Sequence, residues 1–319
     1  MTSSTLTDDE AKLYDRSIRL WGVEAQSRIR NTSVLLVGLG GLNGEVCKNV
    51  ALAGVKCIGL LDGAPLSAAD IGALFLASPE HVGALSRAAA CEAFVRDLNP
   101  YVNVVVERSD AAAAHDDAFW ARYDIVCATK QSWSVLQPIA DACRRAGVKF
   151  YAGDCLGFFG FMFADLGPRF TFSKTVESDA ADGEKLTTRS MEQLDFASLA
   201  ELLARVPARP KRVPPLYWAL LVLRNRELHG NSTAITASNA KAVLAQAVAD
   251  GALPSADLIT PELLVAVTRG VGVEVPCVAA VLGGILGQEL IRAAAADDVP
   301  IQGFLLYDAY AGTAIQLNE

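Results

Sequence analysis

Apolar and polar residues alternate along this chain in two rhythms. Val34 to Val37 and Ile58 to Leu61 are short, unbroken apolar runs rich in branched side chains. That is the pattern of strands buried on both faces. Val102 to Val106, Asp124 to Thr129 and Val148 to Ala152 repeat it. Between these runs the period lengthens to that of a helix. Glu45 to Ala53 puts Val46, Val50 and Ala53 on one face, and Arg87 to Leu98 and Ser132 to Ala146 are further helices. Gly54 and Gly147 are their stops, and Asn99-Pro100 ends the middle one. Gly153-Asp154 reads as a turn, and the aromatic stretch Leu156 to Leu166 as one or two strands. Strand and helix alternating from 33 to 166 predict a Rossmann-like, doubly wound α/β fold, its sheet mostly parallel and covered on both faces.

The ends of the chain read differently. Thr7 to Glu10 has the form of a capping box at a helix start. Tyr14, Ile18, Trp21 and Ala25 then form one apolar stripe. Arg16 lies two residues from Tyr14, about 200° round the helix, so it points away from that stripe. Spacing alone makes it a solvated surface charge within reach of Asp15. After residue 168 the pattern shifts. Glu177 to Glu184 reads as an acidic loop, Met191 to Val206 as an amphipathic helix and Pro207 to Pro215 as irregular chain. Leu216 to His229, Thr236 to Asp250 and Thr260 to Thr268 read as helices. Residues 171–269 are therefore expected to form a mainly helical insertion with a flexible loop and a proline-rich linker. They would split an α/β domain made of residues 1–170 and 270–319. Cys277 to Ala295 is a buried helix, with Gly283, Gly284 and Gly287 allowing close packing, and Gly303 to Tyr307 and Ala314 to Leu317 are the last strands.

Composition narrows the choice of partners. A net charge of −8 over 319 residues argues against a nucleic-acid backbone. Met1 to Leu13 is polar and acidic, unlike a secretory signal. The apolar run Cys277 to Leu286 falls short of the ~20 residues a membrane span needs. The seven cysteines form no C-x-x-C pair, so no metal site is expected. His81, His115 and His229 sit in loops or at helix ends and suggest no catalytic dyad or triad.

The candidate chemistry lies between Ser33 and Asp62. Gly38, Gly40 and Gly41 follow the first strand at once, where a tight turn and a close backbone approach need no Cβ. Asp62 closes the second strand, about 20 residues on, where a ribose hydroxyl would be held. One departure is Asn43, where the pattern wants glycine. The unit reads equally as a nucleotide site or as a doubly wound sheet that binds none. Glycines and acid together also permit a nicotinamide-dependent oxidoreductase.

Longer motifs carry a resemblance. YDRSIRLWG at 14–22, LLVGLGG at 35–41, LLD at 60–62 and LNP at 98–100 resemble the activating enzymes of ubiquitin-like proteins and their bacterial ThiF-type adenylyltransferase relatives. FYAGDCLGFFGFMFADLG at 150–167 and EVPCVAAVLGGILGQELIRA at 274–293 look like the smaller, non-catalytic subunit of the heterodimeric members that activate SUMO-type modifiers. The resemblance covers nearly the whole chain and is weakest from 170 to 260. It implies adenylation of a modifier's carboxyl terminus with ATP and Mg²⁺, then thioester formation on an enzyme cysteine.

Taken residue by residue, the resemblance also implies what this chain lacks. A competent member has an acid two residues after the one matching Asp62, and here Ala64 stands there. Its loop arginine falls at Ala73, its lysine at Ser86 (with Arg87 next to it) and its strand-end acid at Lys130. An ammonium at 130 would repel Mg²⁺. No cysteine occurs from Leu156 to Pro276, and Cys155 reads as a core residue. Gly38, Gly40, Gly41 and Asp62 are thus expected to form a degenerate site, with no cofactor or metal held by this chain. ATP and Mg²⁺ are expected in a larger, cysteine-bearing partner subunit, and the SUMO-like modifier is reached through the complex. In such enzymes the Tyr-Asp-Arg arginine crosses the interface to the partner's ATP. The resemblance therefore gives Arg16 an arginine-finger role in trans, and Arg19 a lesser one. It also implies a nuclear location, with cytoplasm as a second; the Pro-Lys-Arg at 210–212 adds little. The other reading of the same motifs is a self-sufficient homodimeric adenylyltransferase.

Overall fold

The computed structural model describes residues 8–108, 115–179 and 185–317. The capping box at Thr7 lies outside them. One eight-stranded sheet organises the chain, in the order β10-β9-β6-β5-β4-β1-β2-β3. Strands β1 (Ser33–Val37), β2 (Cys57–Leu61), β3 (Asn103–Val106), β4 (Ile125–Thr129) and β5 (Lys149–Leu156) run parallel. The other three, β6 (Phe159–Asp165), β9 (Gly303–Asp308) and β10 (Thr313–Leu317), add antiparallel. The expected doubly wound sheet is present.

Helices cover both faces, as a sheet buried on two sides requires. On one face α3 (Gly41–Ala53) packs along α11 (Pro276–Ala295). Gly283 and Gly287 make that approach possible: a Cβ on either would lie 2.5 or 2.9 Å from the Cβ of Glu45 or Asn49. At 20 residues α11 is long and apolar enough to cross a membrane by length and composition, more than Cys277 to Leu286 alone indicated. Its burial comes from α3 and the sheet. On the other face lie α6 (Trp133–Ala146), α8 (Pro215–Leu228) and α10 (Pro261–Gly270).

Four expectations need correction. No turn forms at Gly153-Asp154. Both lie inside β5, which pairs through Leu156 with β6, and the reversal comes at Gly157 (φ 65°). Met191 to Val206 is not one helix. Its first four residues belong to β8 (Lys185–Leu194), and only Leu199–Ala204 is helical (α7). The 3.6-residue spacing of Met191 and Leu194 is fortuitous, since Met191 is 70% exposed. A Ser198–Glu201 capping box starts the helix later. Glu177 to Asp179 is strand rather than loop, the end of β7 (Phe170–Asp179), which pairs with β8 residue for residue. The stretch after 170 is thus a β-hairpin before it is helical. Ser173 ties it to the core through Ala296 O and the Asp297 carboxylate. Finally, the N-terminal helix α2 (Asp15–Asn31) is broken at Gly22, whose φ of 88° no helix tolerates.

Candidate functional site

The glycine turn joins β1 to α3 at the carboxyl edge of the sheet, where open α/β folds place ligands. Gly38 has φ 76°, and a Cβ there would sit 1.9 Å from Thr129 O. Asn43 fills the gap left by the missing glycine. Its amide donates to Val37 O at 3.0 Å and Gly38 O at 2.8 Å, and its carbonyl oxygen accepts from the Cys127 thiol. The departure is a buried clamp on the turn. Asp62 accepts from Leu39 N at 2.7 Å and Ala64 N at 2.9 Å. The acid expected at a ribose therefore spends both oxygens on the turn and its own loop.

The centre of the site was not foreseen. Glu274, in the segment leading into α11, lays its carboxylate on the glycine turn. One oxygen accepts from Leu42 N at 3.1 Å and the other from Lys130 Nζ at 3.0 Å. A Cβ on Gly40 would meet those oxygens at 2.2 and 2.6 Å. A carboxylate thus occupies the N-terminus of α3, the position from which a phosphate would take the free N–H groups. Lys130 is held at φ 53°, an unfavourable backbone for a long side chain, and also faces Asp70 at 3.7 Å.

The positions that resemblance marked as lost surround this pair. Ala73 lies over the turn, its Cβ 2.8 Å from where one on Gly41 would be. Ser86 caps α4 (Arg87–Leu98) by accepting from Ala89 N. Arg87 does not face open space: it pairs with Asp70 at 3.1 Å and Asp62 at 3.3 Å. Burial alone would raise the Asp70 pKa, but hydrogen bonds from Ser67 and Arg87 hold it below the ordinary value. The residues present do not fit a magnesium triphosphate. A carboxylate sits in the phosphate seat, and both nearby cations are taken by this chain's own acids. Gly38, Gly40, Gly41 and Asp62 lie together at the turn; Asp70 and Glu274 complete the cluster without any signal in the sequence.

Beside the cluster opens a cavity of about 770 Å³ between the sheet edge, α6, α8 and the end of α10. Asp154 of β5 lines it. Burial and the nearby Glu274 push its carboxyl up to about 7, against the Cys155 N–H and Lys130. Cys155 faces the core, fully buried, and burial raises its thiol far above the usual range.

Arg16 lies elsewhere, in the first turn of α2, and is exposed. Asp15 pairs with Arg19 at 2.9 Å instead. Leu13, Leu20 and Val23 beside it are exposed apolar residues, Leu20 by 75%.

A model of the ThiF family matches residues 14–318. Curated relatives match along almost the full length. SUMO-activating enzyme subunit 1 of Rattus norvegicus is 35% identical over 97% of this chain and 94% of the relative. The Homo sapiens protein of that name is 35% identical over 97% and 95%, and the Danio rerio one 32% over 97% and 95%. The chain belongs to the ThiF family and, within it, to the SUMO-activating enzyme subunit 1 family.

Proposed function

We propose that this chain is the regulatory, non-catalytic subunit of a heterodimeric enzyme that activates a SUMO-type modifier. A larger partner bearing the acyl-accepting cysteine binds ATP and Mg²⁺, and this chain binds neither. The observation that carries the reading is the Glu274 carboxylate on Leu42 N and Gly40, with Lys130 paired to it. A site filled by its own carboxylate cannot stabilise the developing charge of adenylation. The same chain keeps an exposed arginine on a turn rimmed by apolar residues, as a contribution in trans requires. Location in the nucleus, with a cytoplasmic pool, belongs to this reading and rests on the family.

Adenylation here is positioning plus charge neutralisation, so a missing cation can be supplied across an interface. Arg16 would meet the partner-bound phosphates once Leu13, Leu20 and Val23 dock. ATP–pyrophosphate exchange with the modifier tests the reading. Neither chain alone should exchange, and the mixture should. Exchange by this chain alone would refute it, as would ordered ATP and Mg²⁺ in its own cleft.

A further inference from the structure

The cavity shares Lys130 and Glu274 with the cluster and opens away from the glycine turn and the Arg16 surface. Its walls are mostly apolar, built from Trp133, Leu136, Leu156, Phe161, Leu220 and Ile235 among others. Trp133 stacks on Phe161 within that wall, with ring centroids 5.6 Å apart and planes within 10°. At about 770 Å³ it has the size of a small-molecule pocket.

Five charged side chains line it, two cations and three acids. Lys130 and Glu274 hold each other. Arg226 donates to Asn231 Oδ1 and to Thr233 O. Glu227 accepts from Ser134 N in the first turn of α6. Asp154 is left. Among the described residues its carboxylate accepts one hydrogen bond, from the next residue's N–H at 2.9 Å, and the nearby Lys130 is paired with Glu274 and Asp70 instead. The other Asp154 oxygen accepts no hydrogen bond from the described residues, so a donor in the cavity would answer it.

We propose that this cavity binds a monocationic amphiphile, an apolar body carrying one ammonium that pairs with the free Asp154 oxygen. The sign follows from the lining: Lys130 and Arg226 against Asp154, Glu227 and Glu274 leave one negative charge in excess, and Asp154 is the acid on the sheet at the cavity wall. A nucleotide or other anion has the wrong charge for it. The apolar body displaces water from Trp133, Leu220 and Ile235, and the ammonium makes a charge-assisted hydrogen bond to Asp154. The inference does not need the activating role, but it uses the Lys130–Glu274 pair, which keeps Lys130 from Asp154.

The test is calorimetric titration of the full chain with three probes of one shape: 4-phenylbutylamine, 4-phenylbutanol and 4-phenylbutyrate. The amine should bind about tenfold tighter than the alcohol, a difference of one charge-assisted hydrogen bond, and the acid most weakly. Asp154→Asn should bring the amine down to the level of the alcohol and leave the alcohol unchanged. Trp133→Ala should weaken amine and alcohol alike. Equal binding of amine and alcohol by the unsubstituted chain would overturn the proposal. So would an amine preference that survives Asp154→Asn, or no binding of any probe.

Discussion

At the glycine turn Lys130 stands 3.0 Å from Glu274, and Arg87 bridges Asp62 and Asp70. At the start of α2, Arg16 is exposed while its neighbour Asp15 is taken by Arg19. Both regions hold cations of the kind that neutralise phosphate. In the first they are neutralised from within, by acids drawn from the loops after β2 and before α11. In the second the arginine is left over, beside apolar residues that no described residue covers. Fold similarity does not separate these cases, because the strand–turn–helix geometry is intact at the site that is closed. The partner of each charge does.

The sharpest way to break the contrast is Arg16→Ala in the assembled enzyme. Loss of an arginine finger costs about 10³-fold or more in rate. ATP–pyrophosphate exchange should fall by that order while co-purification with the larger subunit persists. An unchanged exchange rate would put Arg16 back among ordinary surface charges.

At the closed site the corresponding change is Glu274→Ala. Its side chain is almost fully buried, and removing it leaves Lys130 and the Leu42 N–H without their carboxylate. Breaking one half of a buried pair costs about 3 kcal/mol or more, read as a lower urea midpoint with unchanged slope. Adding Lys130→Met should restore part of the loss, because the stranded ammonium goes with it. If the single variant is as stable as the parent, the plug is not a structural element.

How much of this could be read beforehand depended on the range of the contact. From Ser33 to Leu98 the period and the stop signals agree, so β1, α3, β2 and α4 are legible to within a few residues. Between 170 and 194 they conflict. Phe170 and Phe172 are the only strongly apolar alternation in β7, and the spacing of Met191 and Leu194 imitates a helix. Gly40 and Asp62 announced a nucleotide turn, and Lys130 announced that its charge was wrong. What closes the turn is Glu274, 232 residues along the chain from Leu42. No local pattern marks an acid before Pro276 for that task; only the packing of α11 on α3 brings it there.

A smaller effect comes from Asp154, which borders both the cluster and the cavity. In the unfolded chain its carboxyl ionises near 3.8, whereas in the folded chain burial, then Glu274, delays this to about 7. The folded state therefore binds more protons between those values, and stability falls as pH rises from about 4 to about 7. At about 1.4 kcal/mol per pH unit the ceiling is about 4 kcal/mol. About 2 is expected, because the carboxyl faces a cavity that water can enter. Asp154→Asn removes this pH dependence. Its gain in Tm over the parent should be full at pH 8 and gone by pH 4; a gain independent of pH would mean that the group ionises normally.

The mildest perturbation tests how Glu274 is delivered. On α11, Gly283 and Gly284 are neighbours in sequence with opposite surroundings. A Cβ at 283 would lie 2.5 Å from Glu45 Cβ and 3.0 Å from Leu42 O, while one at 284 would meet nothing within 4 Å. Glu45 Cβ is fixed to the α3 backbone, so Gly283→Ala must push the two helices apart. Overpacking of this kind costs about 1–3 kcal/mol, which a helix-propensity gain of about 0.5–1 kcal/mol offsets only in part. Gly284→Ala meets no such contact and should raise stability by about 0.5 kcal/mol. The separation also pulls Glu274, which enters α11 two residues before its first turn, away from Leu42 on α3. Amide exchange at Leu42 should therefore quicken in Gly283→Ala and stay unchanged in Gly284→Ala. Equal exchange in both would show that the carboxylate is held by Lys130 alone, and that the α3–α11 contact is not what seats it.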